Sequence, residues 1–567
     1  MKRFHIILIK PSRYDEDGYV ISWFRGVLVS NSMAVINALT EQSVREKVLG
    51  PDVEIITHFY DETVRRIPVN RLVREVQLDV DRAIVCMVGV QTNQFTRAVD
   101  LGKEFIACGL KVMIGGFHVS GSIQMLPRIP DEIKDGIDAG ITMVAGEVED
   151  RWGGLLNDAY NNVLKPLYNF LNDQPSLEGA VTPFVSKQNL SFYGASRQAS
   201  FDAGRGCPFK CTFCTIINVQ GNTMRGRTPD DIEALIKRNQ EQGTREYFVT
   251  DDNFARHPHW EEIVDRIISL KKRMHVSLMV QTDTMSYRIP GFVDKLARAG
   301  CRRIFIGMES VNPDNLKACG KPQNRIHEYR TMLQAWRDAG IVTHAGYIIG
   351  FPGDTYDSIM RDVECLKQEL PIEFVEFFMM TPLPGSQDHL ENYLKGVPME
   401  KDMNAYDTAR PCMEHPRMSR DELIQAYRDA WKSFYARDHV ETILKRRKDC
   451  KKKNIARHMI WFRSAVFIED LHPFLFGIFR IKGRKRRSPK FPTEFIPIYY
   501  CRRTWDIVSW AVRTLLMFIE LKYLYFKANR EKNNDYMDIT ITPEPLVKKA
   551  ILSNDPAHPE SSATEQR

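Results

Sequence analysis

The chain has 567 residues, a formal net charge of +7 at pH 7, and hydrophobic and charged fractions of 43% and 27%. This composition excludes a disordered or fibrous chain, and the length allows about three to four domains. The 11 cysteines are scattered except for one group of three, which argues against a disulfide framework and indicates a reducing cytosol.

Residues 1–190 alternate short apolar runs with helical patterns. The runs fall at 4–9, 53–59, 82–90, 111–114 and 141–145, and a clear helical segment lies at 95–108. The first run is too short for a signal sequence and is predicted to be a buried strand. Continuous apolar strands interleaved with helices predict a parallel sheet covered on both faces, in a flavodoxin- or Rossmann-like α/β domain.

Glycines lie at the carboxyl ends of these predicted strands, where parallel sheets bind their ligands. They are Gly89, Gly115, Gly116 and Gly146, the last of which is followed by Glu147. A tight strand-to-helix turn explains each glycine taken alone. Their common position nevertheless makes this edge of the sheet a candidate binding site.

Residues 195–415 predict six further β/α repeats. Strands are predicted at 200–204, 247–250, 276–281, 303–307, 342–349 and 375–380, and helices at 229–241, 259–273, 290–299, 325–339 and 355–369. Six repeats predict a partial (β/α)6 barrel of the TIM type. Parallel β/α barrels place their sites at the carboxyl ends of the strands.

The loop after the first of these strands carries Cys207, Cys211 and Cys214, with Phe213 directly before the third cysteine. Iron–sulfur clusters are normally held by four cysteine thiolates, so three ligands on one loop would leave one iron open to another molecule. A zinc knuckle and three unrelated buried thiols are the alternatives. Structural zinc takes four ligands, commonly in paired C-x-x-C units, and no second pair follows.

This cysteine spacing resembles the loop of the radical S-adenosylmethionine (SAM) superfamily. The resemblance implies that a 4Fe–4S cluster binds the amino and carboxylate groups of SAM at its open iron. It also implies that an electron from the cluster cleaves SAM to a 5′-deoxyadenosyl radical. Further segments match the family in order, so the resemblance covers about residues 201–387.

The first of those segments, Asp251-Asp252-Asn253, follows a predicted strand, and the family places a contact to the amino group of SAM there. Acidic and amide side chains suit this contact, although Asx residues at such a turn also cap helices. The second segment contains Glu309 and Ser310, which the resemblance assigns to the ribose or methionyl part of SAM. A solvated loop acid is the alternative.

The third segment contains Gly346 and Gly350 and resembles the fifth-strand motif of the family, in which the adenine of SAM packs against backbone. Glycines allow a flat ring to approach the chain closely. Asp354 is a plausible helix cap in the same segment. Residues 381–386 then end the sixth strand, as in many members of the family.

Residues 1–190 resemble the cobalamin-binding domain that precedes many radical SAM domains. The resemblance rests on the strand order and on the small residues at the strand ends, which would let a corrin pack there. Many cobalamin proteins carry an axial histidine after the first strand, whereas residues 10–19 contain none. Base-off binding is therefore expected. His118 is a candidate ligand, but a loop histidine at such a position is more often a packed or solvated side chain. A vestigial domain without corrin is the alternative.

Residues 420–530 predict a mainly α-helical region with basic runs at 445–453 and 480–487 among many aromatic residues. A helical cap over the barrel mouth, docking on an anionic membrane surface and nucleic-acid binding are the three interpretations. No nucleic-acid module is visible. The segment 504–526 is interrupted by charges and predicts an amphipathic or packed helix rather than a membrane span. Residues 531–567 are polar and predicted to be disordered.

The leading hypothesis is a cobalamin-dependent radical SAM methyltransferase that acts on an unactivated carbon. Its expected partners are a small-molecule or lipid substrate and an electron donor such as flavodoxin or ferredoxin. A radical cyclase, oxidoreductase or rearrangement without methyl transfer is the alternative among enzymes, and a non-catalytic sensor of corrin and cluster is the alternative outside them. The sequence identifies no catalytic residue. It predicts a cytoplasmic protein, with peripheral membrane contact as one interpretation.

Overall fold

The computed structural model describes residues 2–77, 82–194, 198–447, 451–530 and 539–541. The predicted disordered segment 531–567 therefore lies outside the described residues except at 539–541. Within the described residues, two six-stranded sheets form the body of the protein.

The first sheet is formed by the N-terminal part of the chain. The elements of this part are β1 (Lys2–Lys10), β2 (Trp23–Arg25), α1 (Asn31–Glu46), β3 (Val53–Asp61), α2 (Val69–Val76), β4 (Ala83–Met87), α3 (Thr92–Ile106), β5 (Lys111–Gly115), α4 (Phe117–Met125), α5 (Asp131–Asp138), β6 (Ile141–Ala145), α6 (Trp152–Tyr160) and β7 (Leu167–Asn169). The strand order is β3-β1-β4-β5-β6-β7, and all neighbours are parallel. This is the flavodoxin-like order with one added edge strand, so the predicted fold class is confirmed.

The apolar runs form strands because both faces of the sheet are buried. Along β1, the side chains of Phe4, Ile6 and Leu8 enter one core, whereas those of Ile7 and Ile9 enter the other, and all five are 0% exposed. The strand β4 was predicted to extend to residue 90, but it ends at Met87. The short strands β2 and β7 were not predicted, since three residues carry too little pattern.

The second sheet is an open parallel barrel, as predicted. The elements that form and surround it are α7 (Lys187–Leu190), β8 (Gln198–Phe201), β9 (Gly204–Arg205), α8 (Ile216–Val219), β10 (Arg225–Gly226), α9 (Pro229–Glu241), β11 (Glu246–Val249), α10 (Trp260–Lys271), β12 (Ser277–Thr282), α11 (Phe292–Ala299), β13 (Cys301–Glu309), α12 (Pro313–Ala318), α13 (Tyr329–Asp338), β14 (Val342–Ile349), α14 (Tyr356–Gln368), β15 (Phe374–Met379) and α15 (Gln387–Lys395). Its strands follow chain order, β8-β11-β12-β13-β14-β15. The carboxyl ends of all six strands therefore lie at one edge.

The C-terminal part is mainly helical, as predicted. Its elements are α16 (Arg420–Phe434), α17 (Arg437–Arg446), α18 (Lys452–Phe467), β16 (Ile478–Arg480) and α19 (Ile496–Arg530). Trp431 and Phe434 of α16 pack against Phe377 of the edge strand β15, at ring-centroid distances of 5.3 and 6.1 Å. Strand β16 pairs antiparallel with β2, a contact across the length of the chain that no sequence pattern indicated. Among the described helices, none combines the length and hydrophobicity that a membrane crossing requires.

The second basic run is folded against the N-terminal sheet instead of forming an open face. Arg480 lies 2.6 Å from Asp15, and Arg486 lies 3.2 Å from Glu62, with arginine side chains only 12% and 15% exposed. These ion pairs join the C-terminal part to the segments that follow β1 and β3. These pairs disfavour the interpretation in which Arg480 and Arg486 face a membrane. Residues 448–450 of the first run lie outside the described residues.

Candidate functional site at the facing ends of the two sheets

A cavity of about 310 Å³ lies between the two sheets, at the carboxyl ends of strands from both. One wall comes from the first sheet and contains the predicted residues Gly89, Gly115, Gly116, Gly146 and Glu147. The opposite wall comes from the barrel and contains Asp202, Arg205, Thr250 and Asp252. The two strand edges that the sequence marked as separate binding sites thus open into one space.

In the first wall, glycine is required by the backbone conformation as well as by the open space of the cavity. At Gly116 an added Cβ would lie 2.1 Å from the backbone nitrogen of Val90, and at Gly146 it would lie 2.8 Å from the carbonyl carbon of Phe170. Gly146 also has φ of +97°, in the region that favours glycine. The tight-turn explanation therefore holds at these positions, and it is the turns that keep this wall free of side chains.

Glu147 faces the barrel. Its two carboxylate oxygens lie 2.7 Å from Arg205 and 2.5 Å from Arg225. Arg205 also lies 2.6 Å from Glu149 and 2.8 Å from Asp202. Sequence reasoning assigned Glu147 to a cofactor contact and missed both arginines, although Arg205 stands two residues before Cys207. The structure instead places the Glu147 carboxylate in an ion-pair network that fixes one sheet against the other.

We expect Glu147→Gln to weaken the junction between the sheets. The amide keeps the shape of the side chain but loses the charge that both arginines contact, so the free energy of unfolding should fall by about 1.5–3 kcal/mol. The measurement is chemical unfolding together with limited proteolysis between residues 170 and 198. Glu104→Gln is the matched control, because that side chain is 53% exposed and lies 3.6 Å from Arg97. Equal unfolding midpoints for both variants would contradict the role of Glu147.

The three cysteines lie together on a loop beside the second wall, and none forms a disulfide. The Thr212 amide donates to the Cys319 carbonyl at 3.1 Å, and the Asp388 amide donates to the Thr212 carbonyl at 3.1 Å. Burial raises the pKa of the Cys211 thiol to about 11, so thiolates here need a compensating positive charge such as iron. Among the described residues, no group of three or more His, Cys, Asp or Glu side chains is placed so that it could hold a metal ion.

The three polar residues that follow β11 make different contacts. One Asp251 oxygen accepts from the Ala203 amide at 2.7 Å, and the Asn253 amide group donates to Asp283 at 2.9 Å, so both brace neighbouring strand ends. Only Asp252 opens into the cavity, where the enclosing protein raises the pKa of its carboxyl to about 7. The alternative of a side-chain cap is not seen at Asn253, which precedes a short 3-10 helix (Phe254–Arg256) and makes no such hydrogen bond.

Glu309 and Ser310 have different surroundings, although they are adjacent. Glu309 has φ of +64°, and its carboxylate lies 2.5 Å from the Lys321 ammonium. Ser310 is 0% exposed, and its hydroxyl accepts from the Asn312 amide at 3.0 Å, so it stabilises the turn before α12. Sequence reasoning missed Lys321, whose ammonium also donates to the Gly307 carbonyl at 3.2 Å.

The segment after β14 forms a tight turn around the buried carboxylate of Asp354. One oxygen of Asp354 accepts from the amides of Gly350 and Phe351 at 3.0 and 2.9 Å. Asp354 is not the helix cap that was expected, because Thr355 caps α14. Gly346 leaves room beside the Phe305 ring, which would lie 3.0 Å from an added Cβ. Phe213 packs on the neighbouring cluster of Cys319, Ile348 and Phe351.

Two buried acceptors on the cavity walls, Asn31 Oδ1 and Gln220 Oε1, have no hydrogen-bond partner within the described structure. Buried polar atoms are normally paired, so these two carbonyls fit a ligand that carries N–H donors. Cobalamin meets that requirement, because its corrin ring bears amide side chains. The open glycine edge and the two acceptors therefore fit a corrin.

Among the described residues, no histidine lines this cavity. The loop 10–19 runs to the segment between α15 and α16, where Arg13 lies 2.6 Å from Asp407. His118 is 0% exposed and does not line the cavity. Its ring packs against Phe95 at 4.2 Å, and burial lowers its pKa to about 3. The structure thus places His118 as a packed side chain.

Comparison with known proteins agrees with this fold and site. Residues 203–366 match the Radical SAM superfamily. The chain is 26% identical over 378 residues to bacteriochlorophyllide d C-8(2)-methyltransferase of Chlorobaculum tepidum, covering 62% of this chain and 79% of that protein. It is 24% identical to hopanoid C-2 methylase of Rhodopseudomonas palustris, covering 68% of this chain and 73% of that protein.

Among solved structures, the cobalamin-dependent SAM radical enzyme OxsB, with aqua-cobalamin and SAM bound, is similar to this chain. The TM-score is 0.52 at 13% identity, and the match covers 94% of this chain and 81% of that one. At this identity the similarity concerns the fold, and it extends over the sheets and the C-terminal helices together.

The fold and the cysteine loop define an enzyme that works with an iron–sulfur cluster and SAM. Residues 203–366 form a radical SAM domain, as the sequence predicted. The predictions of the enzyme class, of the 4Fe–4S cluster and of SAM are thereby confirmed.

Proposed function

We propose that this enzyme is a cobalamin-dependent methyltransferase that methylates an unactivated carbon. The observation that carries the proposal is the shared cavity, because the glycine edge and Asp252 line the same space. A corrin against one wall and SAM against the other would meet there with a substrate between them. The methyltransferase names of the two relatives described above support this function.

Cys207, Cys211 and Cys214 would hold the cluster, which when bound supplies the electron that cleaves SAM. The loop packs closely against the segment that follows it. An added Cβ at Gly206 would lie 2.5 Å from the Thr223 carbonyl oxygen, so only glycine fits directly before Cys207.

SAM would bind between the cysteine loop and the ends of β11, β13 and β14. The carboxylate of Asp252 can accept from its ammonium group, and the ammonium of Lys321 can donate to its carboxylate. Glu309 holds Lys321 in position at 2.5 Å. Phe213 would pack on the sulfonium side, and Gly346 and Gly350 would leave the flat adenine room to lie against backbone. Asp251, Asn253 and Ser310 would act indirectly, by bracing these strand ends.

The first sheet would hold the corrin on Gly89, Gly115, Gly116 and Gly146, with Glu147 behind them securing the barrel. Bound cobalamin supplies the methyl group. Asn31 and Gln220 would accept from the corrin amides through the two free carbonyl oxygens. Because no histidine among the described residues lines the cavity, the corrin is expected to bind base-off.

We propose three working units at 1–190, 195–415 and 420–530, of which the first two carry the cofactors. The reductant would be a small electron carrier such as flavodoxin or ferredoxin, and the enzyme would work in the cytoplasm with peripheral contact to a membrane. The substrate would be a small molecule or a lipid. None of these finer assignments is needed for the chemistry of the cavity.

The test is transfer of a labelled methyl group. Extract from cells that lack the gene is incubated anaerobically with the reconstituted enzyme, a reductant and SAM that carries a trideuterated methyl group. We expect one extract component to gain that methyl group by mass spectrometry. Formation of 5′-deoxyadenosine with a dehydrogenated or cyclised product and no label would replace methyl transfer by a radical oxidation or ring closure.

A further inference from the structure

Helix α19 exposes an apolar stripe along its outer face. The stripe consists of Trp505, Val508, Val512, Leu515, Leu516, Ile519, Tyr523 and Phe526, which are 73%, 51%, 51%, 59%, 60%, 55%, 53% and 58% exposed. Apart from the adjacent pair Leu515 and Leu516, they follow one another at three or four residues, which places them on one side of the helix. The inner side, with Met517, Leu521, Leu524 and Ala528, is buried.

The exposed apolar area of this stripe is larger than the surface of a soluble protein normally presents. At about 1.5 Å per residue, it runs about 30 Å from Trp505 to Phe526. The start of the helix is also exposed, with Phe495, Ile496, Ile498 and Tyr500 at 68%, 51%, 59% and 63%, although only Ile498 lies on the side of the stripe. Soluble monomers rarely expose contiguous apolar patches above a few hundred Å², and larger ones mark binding surfaces.

A positively charged cavity adjoins the stripe. It has a volume of about 250 Å³ and is lined by four cationic side chains, those of Arg480, Lys482, Arg503 and Arg513, against two acidic ones, Glu469 and Asp506. Trp505 belongs to both the cavity wall and the stripe. The Lys482 ammonium lies 3.7–3.9 Å from the carboxylates of Asp15, Asp17 and Asp506. The buried Arg480 Nε has no hydrogen-bond partner within the described structure, so it can donate to an anion in this cavity.

We propose that the outer face of α19 docks flat on an anionic phospholipid bilayer, with a headgroup phosphate in the adjoining cavity. An amphipathic helix with aromatic residues at its ends lies at the boundary of headgroups and acyl chains. The bilayer supplies both an apolar phase for the stripe and anions for the cavity. A second copy of the chain would bring the same cavity, with four cations against two acids, to this face. The proposal is independent of methyl transfer.

The docking surface differs from the basic run that the sequence offered as one possible membrane contact. Arg486 and Arg487 are engaged with Glu62 and Tyr19 within the protein, so replacing them would disturb packing and report on the wrong surface. The side chains of the stripe are already exposed, and substituting them should leave the fold intact.

The experiment is co-sedimentation of the full-length protein with vesicles of phosphatidylcholine alone or mixed with phosphatidylglycerol, at low and high salt. The wild type should pellet with the anionic vesicles, and part of the binding should survive high salt. Leu516→Gln combined with Ile519→Gln should reduce the partition coefficient at least about tenfold, because it removes apolar burial. Arg513→Gln should weaken binding at low salt and leave the salt-resistant part unchanged.

The matched control is Val163→Gln combined with Leu394→Gln, which removes two apolar side chains that are 59% and 65% exposed elsewhere on the surface. This variant should bind vesicles like the wild type. Failure of the wild type to pellet, or equal pelleting of the stripe variant, would overturn the proposal. So would a wild-type dimer in the absence of lipid that the stripe substitutions convert to a monomer, because a second copy would then occupy the face.

Discussion

Replacing Cys207, Cys211 or Cys214 with Ala is expected to abolish the 4Fe–4S cluster and all formation of 5′-deoxyadenosine. In the proposed site each thiol would supply one corner of a cluster with only three protein ligands, so no spare thiolate could compensate. Activity should fall to the background of the assay, and the iron content and the visible absorption of the cluster should fall with it. Iron analysis and chromatography of the nucleoside product measure the two effects separately.

Cys319 provides the sharpest control for this prediction. It is 1% exposed and lies beside the cysteine loop, where its backbone carbonyl accepts from Thr212. Cys319→Ala keeps that carbonyl and removes only the thiol, so the cluster should remain. Cys301→Ala, on β13, serves as a second control. Loss of the cluster in Cys319→Ala as complete as in Cys211→Ala would show a fourth protein ligand and remove the open iron site.

The second large effect is expected from filling the cavity. Val148 is partly exposed and lines the first wall, so Val148→Trp places a bulky ring where the corrin is proposed to lie. The variant should lose cobalamin after anaerobic reconstitution but keep the cluster and the cleavage of SAM. Absorbance of the corrin and release of 5′-deoxyadenosine report the two properties independently.

His118→Ala is the companion variant. Its ring lies outside the cavity, so a base-off cobalamin spectrum should be the same in this variant as in the wild type. Full retention of cobalamin by Val148→Trp would place the corrin elsewhere. A change of the cobalt spectrum in His118→Ala would show that the histidine reaches the metal.

The order of the elements could be predicted because each strand is a continuous apolar run between turn signals. The strand 342–349 was predicted to the residue, since all eight of its side chains are buried. The position of the C-terminal part could not be predicted in this way. Its pairing through β16 with β2 depends on ion pairs such as that between Arg480 and Asp15, which are 465 residues apart.

The candidate site, like the fold, could be predicted from the sequence only in part. Local motifs located the cysteine loop and the glycine edge, because their chemistry is carried by neighbours in sequence. They could not show which of Asp251, Asp252 and Asn253 opens into the cavity, since that depends on the strands that the other two brace. Lys321 and Arg225 were missed for the same reason, because their importance comes from the carboxylates of Glu309 and Glu147 that the fold brings to them.

The most direct test of the shared cavity needs no substrate. The reconstituted enzyme, with and without cobalamin, is incubated with a reductant and SAM that carries a trideuterated methyl group, and both SAM products are quantified. We expect 5′-deoxyadenosine in both samples, and S-adenosylhomocysteine with a labelled corrin only in the sample that holds cobalamin. Formation of 5′-deoxyadenosine without S-adenosylhomocysteine in cobalamin-loaded enzyme would contradict the proposal that the two cofactors act in one cavity.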